Sequence, residues 1–96
     1  MIISGFSDLP LEDLVEHARY EKPEMIILTA TSIDTALRLK PMQEMLHRLK
    51  PKPIFGYGGY AFIFDPSLRI SVSGVFLGDT LAEAVEKIGD LLKTGN

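Results

Sequence analysis

Hydrophobic residues are distributed along the chain in two ways, as short apolar runs and as stripes at helical spacing. The runs MIISGF (1–6), MIILTA (25–30), PKPIFGY (51–57) and GVFLG (74–78) have the length of strands. MIILTA is continuously apolar, as expected of a strand covered on both faces. Between the first two, LPLEDLVEHARY (9–20) predicts a helix, with Leu11, Leu14, Val15 and Ala18 on one stripe and Glu12 and Asp13 at the positive end of the dipole. Pro10 suits the first turn, and Pro23 ends the element by disfavouring helix at Lys22. The stretch 33–50 is helical but interrupted at Pro41, from which Met42, Met45, Leu46 and Leu49 repeat at helical spacing. The segment AFIFDPSLRI (61–70) reads as irregular, with at most one helical turn near Pro66. Thr80 and Glu83 have capping-box spacing, and Leu81, Ala84, Val85, Ile88 and Leu92 form the stripe of a final helix before the Gly95-Asn96 tail.

Strands alternating with helices predict a single α/β domain built on an open parallel sheet. Ligands of such sheets bind outside the carboxyl ends of the strands. Those ends fall near residues 4–8, 29–32, 57–60 and 77–80, and small, hydroxylated and glycine residues gather at all of them. Loops of this kind carry such residues for turn chemistry as well.

Composition narrows the field. At 96 residues the chain suits one domain, and 46% apolar with 24% charged residues is an ordinary globular balance. The net charge of −3, with no strongly basic block, argues against a nucleic-acid-binding module, which needs clustered Lys and Arg. The absence of cysteine excludes a disulfide, a thiolate zinc site and a cysteine nucleophile, and is compatible with a reducing compartment. No stretch reaches the roughly 20 apolar residues of a membrane helix, and the N-terminus lacks the pattern of a signal peptide. The expected location is the cytoplasm.

PIFGYGGYAF (53–62) is the segment with the most to explain. Gly56, Gly58 and Gly59 do not make G-x-G-x-x-G, and no Lys-Ser/Thr pair follows as in a P-loop. AFIF is not a typical first helical turn, which weakens the case for free amides cradling a phosphate. The plainer expectation is that Gly58 and Gly59 turn the chain after a strand, a role compatible with close approach of a ligand to bare backbone. The hydroxyls of TATS (29–32) suit either a ligand's polar rim or the capping of the next helix. His17 and His47 lie on helices outside any metal-ligand spacing, so each is expected to face solvent. Asp8, Asp34 and Asp79 precede or open helices and read as caps, while Asp65 before Pro66 reads as the start of a turn. No catalytic nucleophile, base or metal ligand emerges.

KPEMIILTATS, PIFGYGGYAF and GVFLGDTLAEAVEKIGDLL, in that order and spacing, resemble the later part of a cobalamin-binding domain. FSDLPLEDLVEHA is similar to that family's second strand and helix, so the likeness runs from about Met1 to Leu92. The type resembled most is the sensor domain that follows MerR-type helix-turn-helix regulators. The resemblance implies a flavodoxin-like α/β fold with sheet order 2-1-3-4-5 and a slot at the strand ends for the nucleotide tail of cobalamin. Of the family's signatures, G-G matches Gly58-Gly59, and S-x-L aligns with Thr29-Ala30-Thr31, where Thr29 keeps a hydroxyl and Thr31 replaces leucine. The implied cofactor-binding residues are therefore Thr29, Thr31, Gly58 and Gly59.

The family's D-x-H-x-x-G, whose histidine ligates cobalt, has no counterpart here, and neither His17 nor His47 inherits that role. The resemblance places that motif in a first strand and helix upstream of Met1, with the strand between MIISGF and MIILTA. A sheet without it must pair those two directly, take a strand from another chain, or leave buried edges unsatisfied. The chain is thus expected to be a truncated cobalamin-binding-type sensor module, binding cobalamin weakly or not at all, with contact to DNA only through a separate domain and with a homodimer or oligomer as one outcome of rearranged pairing. Two other readings stand beside it, a corrinoid-carrying subunit of a methyltransferase or mutase, and a cofactor-free α/β interaction module.

Overall fold

The computed structural model describes residues 2–6 and 10–94. Four strands, β1 (Ile2–Phe6), β2 (Met25–Thr29), β3 (Ile54–Gly58) and β4 (Val75–Phe76), form one parallel sheet in the order β1-β2-β3-β4. Its helices are α1 (Leu11–Glu21), α2 (Ile33–Leu37), α3 (Met42–His47), α4 (Tyr60–Phe64), α5 (Leu68–Ser71) and α6 (Leu81–Thr94). The arrangement is α/β and flavodoxin-like, as expected.

The strand order dictates where the helices go. Each parallel connection steps to the next strand in the same direction, and a right-handed crossover then puts every connecting helix on the same side. Side chains from α1, α2, α3, α4 and α5 accordingly share one core with Ile26, Leu28, Phe55 and Tyr57 of the sheet. Only α6, which follows the last strand, turns back across the other face. There Leu92 shares a cavity wall with Ile54 at the start of β3.

The strands alternate as a sheet between two layers must. Ile26 and Leu28 of β2 and Phe55 and Tyr57 of β3 enter the main core, while Met25, Ile27, Ile54 and Gly56 face the α6 side. Phe55, Tyr57, Phe62 and Phe76 form an aromatic chain through that core, with ring centroids from 4.7 to 6.2 Å apart. On the other side Gly56 is a packing residue, since a Cβ there would come within 2.7 Å of the Met25 Cε and 3.1 Å of a Leu77 methyl.

β1 pairs directly with β2, in parallel and over five residues from Ile2↔Met25 to Phe6↔Thr29. Of the pairings open to a sheet lacking an intervening strand, this chain takes the direct one. Two local expectations are corrected. Residues 60–64 form the short helix α4 and not an irregular loop, and residues 68–71 form α5. The reason is tertiary: Ala61 and Phe62 are buried in the main core together with Leu68, which overrides the poor helical signal of AFIF. Asp34 does not cap α2. Ser32 does, by a reciprocal pair of bonds with Thr35, and Asp34 sits within the first turn. At α6 the Thr80 hydroxyl accepts from the Glu83 N–H at 3.1 Å, but the Glu83 carboxylate reaches one residue further back than in the standard box, to the Asp79 N–H at 2.8 Å.

Candidate functional site

The carboxyl ends of β2 and β3 lie side by side, with Thr29 the register partner of Gly58. Beyond them the chains stay joined. The Ala30 N–H donates to the Gly58 carbonyl at 3.0 Å, and the Ala61 N–H donates to the Ala30 carbonyl at 3.1 Å. These bonds lock the loop after β2 against the start of α4.

That lock explains Gly59. Its φ is +110°, and a Cβ there would lie 2.5 Å from the Ala30 oxygen and 2.8 Å from its nitrogen. Both the backbone angle and the contact demand glycine. Gly58 differs. It is buried, yet a Cβ at that position would meet nothing closer than the Leu77 Cβ at 4.0 Å. The missing side chain therefore leaves a small unfilled notch beside Leu77, on the sheet face covered by α6.

Thr29 is half-buried and shares that face with Gly58. Its hydroxyl lies 3.5 Å from the Gly5 carbonyl of β1, at the outer limit of a hydrogen bond. Thr31 is exposed, and among the described residues no hydrogen bond to its hydroxyl is found. Of the implied cofactor-binding residues, Thr29, Gly58 and Gly59 thus meet at adjacent strand ends, while Thr31 stands in the loop outside them. Of the TATS hydroxyls, that of Ser32 is the helix cap. Ser7 and Asp8, at the end of β1, lie outside the described residues.

A polar cluster that the periodicity did not single out frames the end of β4. The Arg69 guanidinium lies 3.9 Å from the centre of the Phe76 ring, donates to Asp79 Oδ1 at 2.9 Å and donates to the Phe62 carbonyl at 3.3 Å. The Tyr57 hydroxyl donates to the Arg69 carbonyl at 3.2 Å. Burial pushes the Tyr57 phenol above its ordinary pKa, and the nearby Arg69 charge pulls the other way. Asp79, read as a helix cap, is the carboxylate partner of Arg69, and Thr80 holds the cap. The cluster ties α5 to the loop after β4 and so fixes one wall of the strand-end region. The sequence signal for it is an arginine and an aspartate spaced on either side of a strand, which no periodicity isolates.

Against the cobalamin tail that the resemblance implies, the strand ends supply a hydroxyl at Thr29 and a backbone without a side chain at Gly58. Gly58 is buried, and the room beside it is that of one methyl group against Leu77. No cobalt ligand accompanies them: His17 and His47 are both exposed on α1 and α3, and His47 Nδ1 lies 3.4 Å from the Lys52 ammonium. Among the described residues, no group of three His, Asp or Glu side chains could hold a metal ion. Likewise, no helix among them is long and apolar enough to cross a membrane. Comparison with protein-family models, with curated proteins and with solved structures finds no match.

Proposed function

We propose that this chain is a cobalamin-binding-type sensor module of a transcriptional regulator, working in the cytoplasm and reaching DNA only through a separate domain. The observation that carries the reading is the pairing of Thr29 with Gly58 at neighbouring strand ends, with room for a methyl group where a Gly58 side chain would stand. That is the place where parallel α/β sheets bind ligands. The sequence resemblance supplies the ligand's identity. Thr29 offers a hydroxyl and Gly58 bare backbone to the tail, while Gly59 holds the loop in position and Thr31 stays outside the contact. Cobalt would take no histidine from this chain, so binding is weak and rests on the tail.

Titration with hydroxocobalamin, followed by calorimetry and by the cobalt absorption spectrum, tests the reading. Weak binding with no histidine-type spectrum, reduced further by Gly58→Leu, is the expected result. Tight binding with a histidine-type spectrum would overturn the account of the site. Absence of binding would favour a second reading, the cofactor-free α/β interaction module. Two observations support that reading: the contact with Ala30 alone accounts for Gly59, and the helix cap alone accounts for Ser32.

A further inference from the structure

At the opposite end of the sheet, where β2 and β3 begin, the fold gathers positive charge that is scattered in the sequence. Residues 38–52 contain Arg38, Lys40, Arg48, Lys50 and Lys52 against Glu44 alone, a net +4; with −3 for the whole chain, the remainder carries −7. Prolines and apolar residues separate these cations along the chain. Three neighbouring cavities bring most of them together with cations of α1. One, of about 470 Å³, is lined by Lys40, Gln43, Glu44, His47, Arg48 and Ser73. A second, of about 240 Å³, shares Arg48 with it and adds Arg19, Lys22 and Lys50. A third, of about 250 Å³, shares Lys22 and adds Lys52 together with Glu24.

Part of this charge has a local reason. Arg19 lies in the last turn of α1, and Lys22 and Arg48 are the C-terminal caps of α1 and α3, where the helix dipole favours cations. Lys40, Lys50 and Lys52 belong to no helix end of that kind. Among the described residues, Arg19 alone of these side chains has an acidic partner within ion-pair distance, Glu16 at 3.4 Å. The wall of the first of these cavities includes Gln43, whose Oε1 is buried without a hydrogen-bond donor.

We infer that this basic rim docks an acidic peptide segment of a protein partner. Carboxylates match the row of ammonium and guanidinium groups, and Arg48 can take one in a two-bonded fork. An extended peptide also brings backbone N–H donors to the cavity that Gln43 lines. A phosphodiester backbone offers acceptors only, and a duplex running past the rim would carry its dense charge over a surface that is otherwise acidic. The site lies at the end of the sheet remote from Thr29 and Gly58, so it stands or falls separately from the cobalamin reading.

The test is fluorescence anisotropy of a labelled oligoglutamate peptide with the whole chain at low salt. Saturable binding that weakens as salt is raised is expected, with polyacrylate, which has carboxylates but no amide N–H, binding less tightly. The double variant Lys40→Glu/Lys50→Glu should lose about tenfold in affinity or more, and Lys87→Glu on α6 should leave it unchanged. Should the double reversal fail to fold by circular dichroism, Lys40→Gln/Lys50→Gln takes its place with a smaller loss in the same direction. Three results would each overturn the proposal: no binding at low salt, equal loss from Lys87→Glu, or tighter binding of labelled duplex DNA than of the peptide. So would concentration-dependent self-association that the Lys40 and Lys50 variants abolish, since the acidic side chains of a second copy's α6 would then be the occupant.

Discussion

The two faces of the sheet are built from the same strands and yet differ sharply. On one, five helices meet the strands, and Ile26, Leu28, Phe55, Tyr57 and Phe62 are sealed from solvent. On the other, α6 alone lies across the sheet; its Val85 is 62% exposed, and Ile2 on the edge strand is 40% exposed. Because β1 to β4 follow one another in order, every crossover falls on the first face and none on the second. The connecting helices all pack on the crowded face, while Met25 and Leu77 are buried on the other. The open face is where a small residue such as Gly58 leaves room.

The comparison breaks most readily at the centre of the crowded face. Phe62 is fully buried and packs against Tyr57 at 4.7 Å between ring centres. Phe62→Ala removes the ring and leaves a cavity, a change that costs about 3–5 kcal/mol. Small domains have about 5–15 kcal/mol in all, so urea denaturation should show a midpoint far below that of the parent or a chain already unfolded. Next comes Gly59→Ala. The +110° φ resists a side chain, and the new methyl would strike the Ala30 backbone, which cannot swing aside as a side-chain end can. A loss of about 2–3 kcal/mol is expected in the same measurement.

These two positions also separate what could be read from the sequence from what could not. The parallel sheet was legible because its apolar runs and helical stripes repeat in order, and the stripe Leu14, Val15 and Ala18 is buried as its spacing requires. The helix at Tyr60 was not, because its support is long-range: Ala61 and Phe62 enter a core assembled from strands and helices far along the chain. Gly59 was legible as a turn, but its contact with Ala30 depends on how β2 and β3 align, which spacing alone does not reveal. At the strand ends, Thr29 and Gly58 stand out in the sequence only through the resemblance, and the register places them side by side. Thr31 is not brought to them, for one residue beyond the lock at Ala30 the chain has already left the sheet.

Tyr57 sharpens the comparison by pH. Its ring belongs to the crowded face, and its hydroxyl donates to the Arg69 carbonyl at 3.2 Å. Burial raises its pKa above the ordinary value of 10.0, so above that pH the unfolded chain gives up the proton before the folded one does. The folded state then holds more protons than the unfolded state, and stability falls as pH rises. The contribution is fully present below pH 10.0 and is lost as the pH climbs through the raised folded value. Tyr57→Phe should cost about 1 kcal/mol at neutral pH through the lost hydrogen bond, and the alkaline fall in melting temperature should become shallower.

The smallest effect is expected where the open face is emptiest. Gly58→Ala adds a methyl that meets only the Leu77 Cβ at 4.0 Å, an ordinary contact, at a backbone φ that any residue tolerates. A strand interior gains from losing a glycine, because the unfolded chain has fewer conformations to give up. The variant should therefore lie between unchanged and about 0.5 kcal/mol more stable by urea denaturation, beside a Gly59→Ala neighbour that is strongly destabilised. Adjacent glycines would then be shown to serve different ends, one demanded by the fold and the other dispensable to it. A marked loss of stability from Gly58→Ala would mean that the notch is closed, and with it the space the proposed ligand contact requires.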